Sequence, residues 1–307
     1  MRRTKAEMQA IKDGIYELCE RYQPMTVRQL FYALSVRGFI AKTEGEYKTT
    51  AKLVKAMRLD GQLPWDWIAD NTRWMHKPTT YGGISDLLES SQRAYRRALW
   101  DPATNPAYVE VWLEKDALSG VFYDVTSEFD VPLMPCRGYP SLSFVRSAAE
   151  TMVHNLEARL FNHNEPRITI YYFGDFDPSG VDISRSTEAR LREFIAEIGD
   201  PLMDALFTFK RVAVNHDQIE EMNLPTRPTK SSDSRAKAFE HDVSVELDAI
   251  DPDTLRSMIR QCLEGHIDTH QHQHLLATEA AERSLLESIS DFTKLNGSAA
   301  LAELIPT

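Results

Sequence analysis

The sequence predicts an α/β protein, with a helical, winged-helix-like domain at the front and a mainly parallel sheet flanked by helices behind it. Three observations carry this reading. Residues 1–100 show apolar residues at helical spacing behind capping signals. From residue 107 onward strand-like and helix-like segments alternate, the order of a sheet built through crossover helices. Between them Asp101-Pro-Ala-Thr-Asn-Pro106 makes a loop, so the domains are expected to cover 1–100 and 107–307.

Taken in order, Thr4 and Glu7 form a capping box ahead of Met8, Ile11, Ile15, Leu18 and Tyr22, one apolar stripe. Thr26 and Gln29 form a second box, and Gly38 is suited to end that helix. A third helix is expected from about Tyr47 to Asp60, stopping at Gly61. Three short helices followed by Leu63–Ile68 fit a winged-helix-like module. A connecting helix is expected over 82–100, with Ile84, Leu87, Leu88, Tyr95 and Leu99 turned inward. Then come a strand at 108–113, a helix at 116–128, a short strand at 131–134 and a long amphipathic helix through Phe144–Leu160. A strand at 168–173, a helix at 181–198 and a strand at 207–214 complete the alternation. Asp251-Pro252 starts one more helix as N-cap and first helical residue.

Composition is that of a globular chain of 307 residues, 42% hydrophobic and 26% charged. The polar start lacks the apolar stretch of a signal peptide, and no window approaches a membrane span. Cys19, Cys136 and Cys262 form no C-x-x-C pair and read as reduced thiols, so a cytoplasmic protein without a membrane partner is expected. The net charge of −11 is uneven: residues 1–100 hold 17 Lys+Arg against 11 Asp+Glu, the remainder 18 against 35. That asymmetry suggests a basic contact surface on the front half; chance variation along the surface is the plain alternative.

Chemistry is expected where strands end, since open parallel sheets bind ligands at their carboxyl edges. One strand runs into Glu114-Lys115-Asp116 and another into Gly174-Asp175-Phe176-Asp177-Pro178-Ser179-Gly180. On an extended backbone Asp175 and Asp177 project to the same side. Glu114, Asp175 and Asp177 repel one another unless a cation lies among them, and an all-oxygen set favours Mg²⁺, with Mn²⁺ as a substitute. The structural alternative, that Asp177 caps the next helix, is set aside because Ser179 and Asp182 supply a capping box of their own. Tyr32 is the other candidate. Val27, Leu30, Phe31 and Leu34 define a buried face, and Tyr32 lies roughly 150° from its centre on the side shared by Arg28. Beside a guanidinium and a metal, its phenol becomes a usable nucleophile; an exposed or interface tyrosine is the alternative. His266, His270, His272 and His274 gather late in the chain and read as a solvated helix end rather than a soft-metal site.

Together these residues resemble the topoisomerase VI A subunit and the related meiotic double-strand-break protein. Glu114 in Val111-Trp-Leu-Glu-Lys-Asp-Ala-Leu118 resembles the strand-end glutamate of the family's Toprim domain, and Gly138-Tyr-Pro-Ser141 its middle turn. Gly174-Asp-Phe-Asp-Pro-Ser-Gly-Val-Asp-Ile183 is similar to its D-x-D-P-x-G-x-D-I signature. Asn223-Leu-Pro225, Lys230, Asp233-Ser-Arg235 and Val245-Glu-Leu-Asp-Ala-Ile250 are similar to its C-terminal motifs. Arg28-Gln-Leu-Phe-Tyr32 resembles the arginine-to-tyrosine segment of its winged-helix domain, and Arg58 falls where the next helix carries a basic residue. The likeness spans roughly residues 25–265 and is more specific in its Toprim half.

The resemblance implies cleavage of double-stranded DNA by transesterification, with Tyr32 as nucleophile, Arg28 and Glu114 assisting, metal on Glu114, Asp175 and Asp177, and Arg58 and Lys115 touching DNA. It also implies a homodimer in which each site takes its tyrosine from one subunit and its acids from the other. Only 31 residues precede Tyr32, which puts coupling to the family's ATPase B subunit in doubt; no G-x-x-x-x-G-K-[ST] occurs, so the chain is not expected to supply ATPase power itself, and minimal A-like proteins of viruses and plasmids are the nearer likeness. Two rivals share part of the pattern: a hydrolytic Toprim nuclease that needs no tyrosine, and a DNA-binding dimer without catalysis.

Overall fold

A computed structural model describes residues 3–68, 78–229, 235–236 and 239–296. The chain is α/β, and the described residues hold a four-stranded parallel sheet flanked by helices, with strand order β2-β1-β3-β4. The strands are β1 (Ala107–Leu113), β2 (Leu133–Pro135), β3 (Arg167–Phe173) and β4 (Phe207–Ala213). Six consecutive residues of β3 are buried, because parallel strands are covered on both faces. Helices α6 (Leu142–Leu160) and α7 (Pro178–Ile198) cover one face over Trp112, Met152, Leu156, Ile170 and Ile195. On the other, Phe122 of α5 (Ser119–Glu128) meets Phe173 edge-on at 4.9 Å between ring centroids, and α9 (Pro252–Glu264) packs against α5. Asp251 caps α9 by accepting from Asp253 and Thr254, as expected.

The front of the chain forms α1 (Lys5–Tyr22), α2 (Val27–Val36) and α3 (Glu44–Leu59). Both predicted capping boxes are present, Thr4 with Glu7 and Thr26 with Gln29. Gly38 and Gly61 follow α2 and α3 with φ of 77° and 70°, the left-handed turn that a glycine adopts without Cβ strain. Ile15, Leu18, Leu30, Leu34, Val54 and Met57 interlock as the core of this helical group.

Two compact units result, one made of residues 1–73 and 102–265, the other of 74–101 and 266–307. The expected boundary near 101–106 therefore does not part the front helices from the sheet. The reason is that α2 docks on residues 246–250: Thr26 Oγ1 donates to Asp248 at 3.2 Å and Arg28 Nη2 to Glu246 at 2.7 Å. In the second unit α4 (Ile84–Ala94) packs on the long helix that ends the described chain, Thr269–Asn296. The expected inward placement of Ile84 and Leu87 is not what occurs; they are 47% and 41% exposed, since a single partner helix covers only a narrow stripe of α4. Within the first unit, α8 (His216–Glu221) follows β4, and β5 (Arg227–Pro228) pairs antiparallel with β6 (Val243–Ser244). No helix among the described residues is long and apolar enough to cross a membrane.

Candidate active site at the carboxyl edge of the sheet

Strands β1 and β3 are paired in register to their ends, so the residues that follow them emerge side by side. Glu114 N–H continues the ladder to Phe173 O at 2.9 Å, and Gly174 N–H continues it to Ala213 O at 2.8 Å. The Glu114 carboxylate turns toward the second loop and accepts Asp175 N–H at 3.0 Å. Two glycines make that approach possible. A Cβ on Gly174 would stand 2.5 Å from Glu114 Oε2, and one on Gly180 would stand 2.3 Å from the Asp175 carbonyl oxygen. The Glu114 carboxyl is pushed up to about 7, first by burial and then by the neighbouring Asp175 charge.

Asp175 and Asp177 have different hydrogen-bond partners, and both lie within electrostatic reach of Glu114. Asp175 Oδ1 accepts Leu247 N–H at 2.8 Å, and its Oδ2 lies 3.0 Å from Lys115 Nζ. Asp177 is the N-cap of α7, accepting Gly180 N–H at 2.8 Å with Pro178 as the first helical residue. This corrects the expectation that Ser179 and Asp182 perform the capping. The helix starts two residues earlier than that box requires, and Asp182 instead accepts from Tyr139 at 2.6 Å and Arg185 at 2.6 Å.

Beside the acids lies a cleft of about 320 Å³ lined by Arg28, Lys115, Asp175, Arg227 and Glu246. Glu246, with a side chain only 3% exposed, is its hub: it accepts from Arg28 through Nε and Nη2, from Arg227 Nη1 at 2.6 Å and from Lys115 Nζ at 3.3 Å. Burial alone would raise its pKa, but the Arg28 hydrogen bonds and the charges of Lys115, Arg28 and Arg227 prevail and hold it at about 2. Lys115 also reaches Asp248 at 2.8 Å; burial opposes its charge, yet Asp248, Asp175 and Glu246 raise its pKa. The hydrogen bonds to Glu246 likewise raise that of Arg28. Of these residues Arg28, Lys115 and Asp175 were expected at the site. Arg227, Glu246 and Asp248 carried no chemical assignment, although Glu246 and Asp248 sit in the Val245–Ile250 motif.

Tyr32 is buried, 4% exposed, which corrects its predicted placement on the open side of α2. The apolar stripe of α2 faces α1 and α3, and its opposite side is covered by residues 247–249, a contact that helical periodicity does not reveal. Burial pushes the Tyr32 phenol up to about 12, with the Glu246 charge adding to the rise and Arg28, Arg227 and Lys115 opposing it. Lys42 Nζ lies 5.1 Å over its ring centroid. Arg58 is engaged with Trp65, donating to its carbonyl at 2.7 Å and stacking on its indole at 4.3 Å. His270, His272 and His274 lie in the first turns of the Thr269–Asn296 helix. Lys230, Asp233 and Ser234 lie outside the described residues.

The donor set fits a hard dication in kind: Glu114 and Asp175 are adjacent carboxylates whose mutual repulsion a cation would relieve. Among the described residues no group of three or more His, Cys, Asp or Glu side chains is drawn together as a metal cluster. Asp177 is turned to its cap and one oxygen of Asp175 to Lys115. In comparison with known proteins, no family model, no curated protein and no solved structure matches the chain.

Proposed function

We propose that this chain cleaves duplex DNA by transesterification as a homodimer, with Tyr32 as nucleophile and with Glu114, Asp175 and Asp177 as the ligands of a Mg²⁺ ion that Mn²⁺ can replace. This is the activity of a topoisomerase VI A-like protein, in which the front helices serve as the winged-helix domain and the sheet as the Toprim domain. The observation that carries the reading is the cleft where Arg28 and Lys115 meet Asp175 and Glu246, with Tyr32 within electrostatic reach of Arg28, Arg227 and Lys115. Three cations beside two strand-end acids suit a phosphodiester, whose charge pairs with guanidinium in a forked geometry.

The Tyr32 phenolic oxygen forms a bond to phosphorus, the P–O3′ bond breaks, and the 3′-oxygen takes up a proton as a free hydroxyl while the phenolic proton is lost. Arg28, one helical turn before Tyr32, offsets charge on the phosphoryl oxygens and lowers the cost of the phenolate. Lys115 and Arg227 orient the strand from the opposite elements. A dication on the carboxylates supplies further stabilisation of that developing charge when bound. The reaction requires Tyr32 to be uncovered, because a phosphate must reach a phenol that is 4% exposed and whose burial pushes its pKa further up, to about 12.

The same burial favours a second reading, hydrolysis by a Toprim nuclease that uses the acids without the tyrosine. One assay separates the two. Supercoiled and linear DNA are incubated with the protein and Mg²⁺, quenched with denaturant, and examined for protein covalently joined to a 5′ end. Attachment is expected in the wild type and absent in Tyr32→Phe, while Asp177→Ala abolishes cleavage. If Tyr32→Phe cuts as fast as the wild type, the transesterification reading is lost to the nuclease.

A further inference from the structure

Arg211 on β4 carries no carboxylate within ion-pair distance among the described residues. Its guanidinium nevertheless makes a full set of hydrogen bonds, all to uncharged oxygens. Nη2 donates to Gly174 O at 3.2 Å and to Asp175 O; Nη1 donates to Gly180 O at 3.2 Å and Ser184 Oγ at 3.0 Å; Nε donates to Val214 O at 3.3 Å. Three of these acceptors, on Gly174, Asp175 and Gly180, are backbone carbonyls of the loop that bears Asp175 and Asp177. A β-bulge immediately follows. Tyr172 pairs with Arg211 but Phe173 pairs with Ala213, so Val212 is the extra residue where the strand turns beneath the loop.

We infer that Arg211 is a positioning residue for the acidic loop: it gathers the carbonyls of Gly174, Asp175 and Gly180 and thereby fixes where the Asp175 and Asp177 carboxylates point. This rests on the reading of those acids as metal ligands. A planar guanidinium with five N–H groups suits a loop whose carbonyls converge from two sides, and the three donors of an ammonium cannot satisfy the same set. The Gly180 carbonyl lies in the first turn of α7, so Arg211 ties the loop entry at Gly174 to the helix that Asp177 caps. The charge is also within electrostatic reach of Glu114, Asp175 and Asp177, and so offsets part of their repulsion.

Positioning and charge predict opposite signs, which makes the inference testable. Removing a cation near a dication site strengthens metal binding by electrostatics alone, whereas losing the loop geometry weakens it. The full chain is therefore compared as wild type, Arg211→Lys, Arg211→Gln and Asp175→Asn, without DNA. Mn²⁺ binding is followed by electron paramagnetic resonance, and amide hydrogen exchange is followed by mass spectrometry. Both Arg211 variants should bind Mn²⁺ at least about tenfold more weakly, the scale of lost outer-sphere support. Exchange should accelerate at 174–180, where Asp175 and Gly180 N–H are held by Glu114 and Asp177, while α6 stays protected. Unchanged or tighter Mn²⁺ binding, or loop exchange equal to wild type, overturns the inference. If Asp175→Asn binds Mn²⁺ as well as the wild type, the metal reading fails instead, and loop exchange alone decides the role of Arg211.

Discussion

Glu246→Gln isolates the electrostatic hub of the cleft with little change in shape. The wild-type carboxyl is moved from 4.5 to about 2, which at about 1.4 kcal/mol per pH unit amounts to about 3 kcal/mol of folded-state stability at neutral pH. Its cationic partners are 25–39% exposed, so solvent screening brings the expected loss to about 2–3 kcal/mol. Because the folded pKa is depressed, this contribution is complete above about 4.5 and disappears as the pH falls toward 2. Urea unfolding of wild type and Glu246→Gln, measured at intervals from pH 7 to pH 3, reads the difference. It should be largest at pH 7 and shrink steadily below 4.5. A loss under about 0.5 kcal/mol at pH 7, the size of an ordinary surface change, would refute the reasoning. So would a gap that stays constant across the series.

Glu110 is a buried carboxyl on β1 whose pKa is raised by burial against the hydrogen bonds from Trp112 and Tyr108, so its native form favours the proton. Stability it contributes is present below the unfolded pKa and is lost as the pH rises toward the folded one. Glu110→Gln should accordingly gain stability relative to wild type on going from pH 5 to pH 9, as read by denaturation midpoints; parallel pH curves would contradict this. Gly180→Ala places a methyl 2.3 Å from the Asp175 carbonyl oxygen, a backbone atom that cannot yield by rotating a side chain. A loss of about 1–3 kcal/mol in urea unfolding is expected, the cost of overpacking. A neutral Gly180→Ala variant would show that the loop has room to shift.

Much of the architecture was legible because its signals are local. Thr4 with Glu7 and Thr26 with Gln29 cap the helices they were expected to cap, and the apolar run 168–173 is the central strand β3. The parallel order also placed Glu114 and Asp175 at one sheet edge. What escaped depends on distant contacts. The second side of α2 is covered by residues more than 200 positions away, so periodicity put Tyr32 in solvent when it is buried. Asp177 was denied the cap because Ser179 offered a competing box, and the choice between them depends on where the helix begins. Arg211 has no signature at all, since three of its five acceptors are main-chain carbonyls of another strand's loop and none is a charged group. Arg227 was equally silent: a lone arginine near Pro225 says nothing until β5 sets it against Glu246.

The docking of α2 has a consequence for how the chain acquires its shape. Residues 27–36 leave the ribosome early, yet Glu246 and Asp248, which receive Arg28 and Thr26, are made more than 200 residues later. During synthesis the residues that cover the Tyr32 side of α2 are therefore made only after those of β1, β3 and β4. The cleft around Glu246 thus depends on contacts of very large sequence separation, the kind that close through the longest loops of the chain. A nascent chain interrupted before residue 246 has its phenol uncovered and its guanidinium without the carboxylate that restrains it.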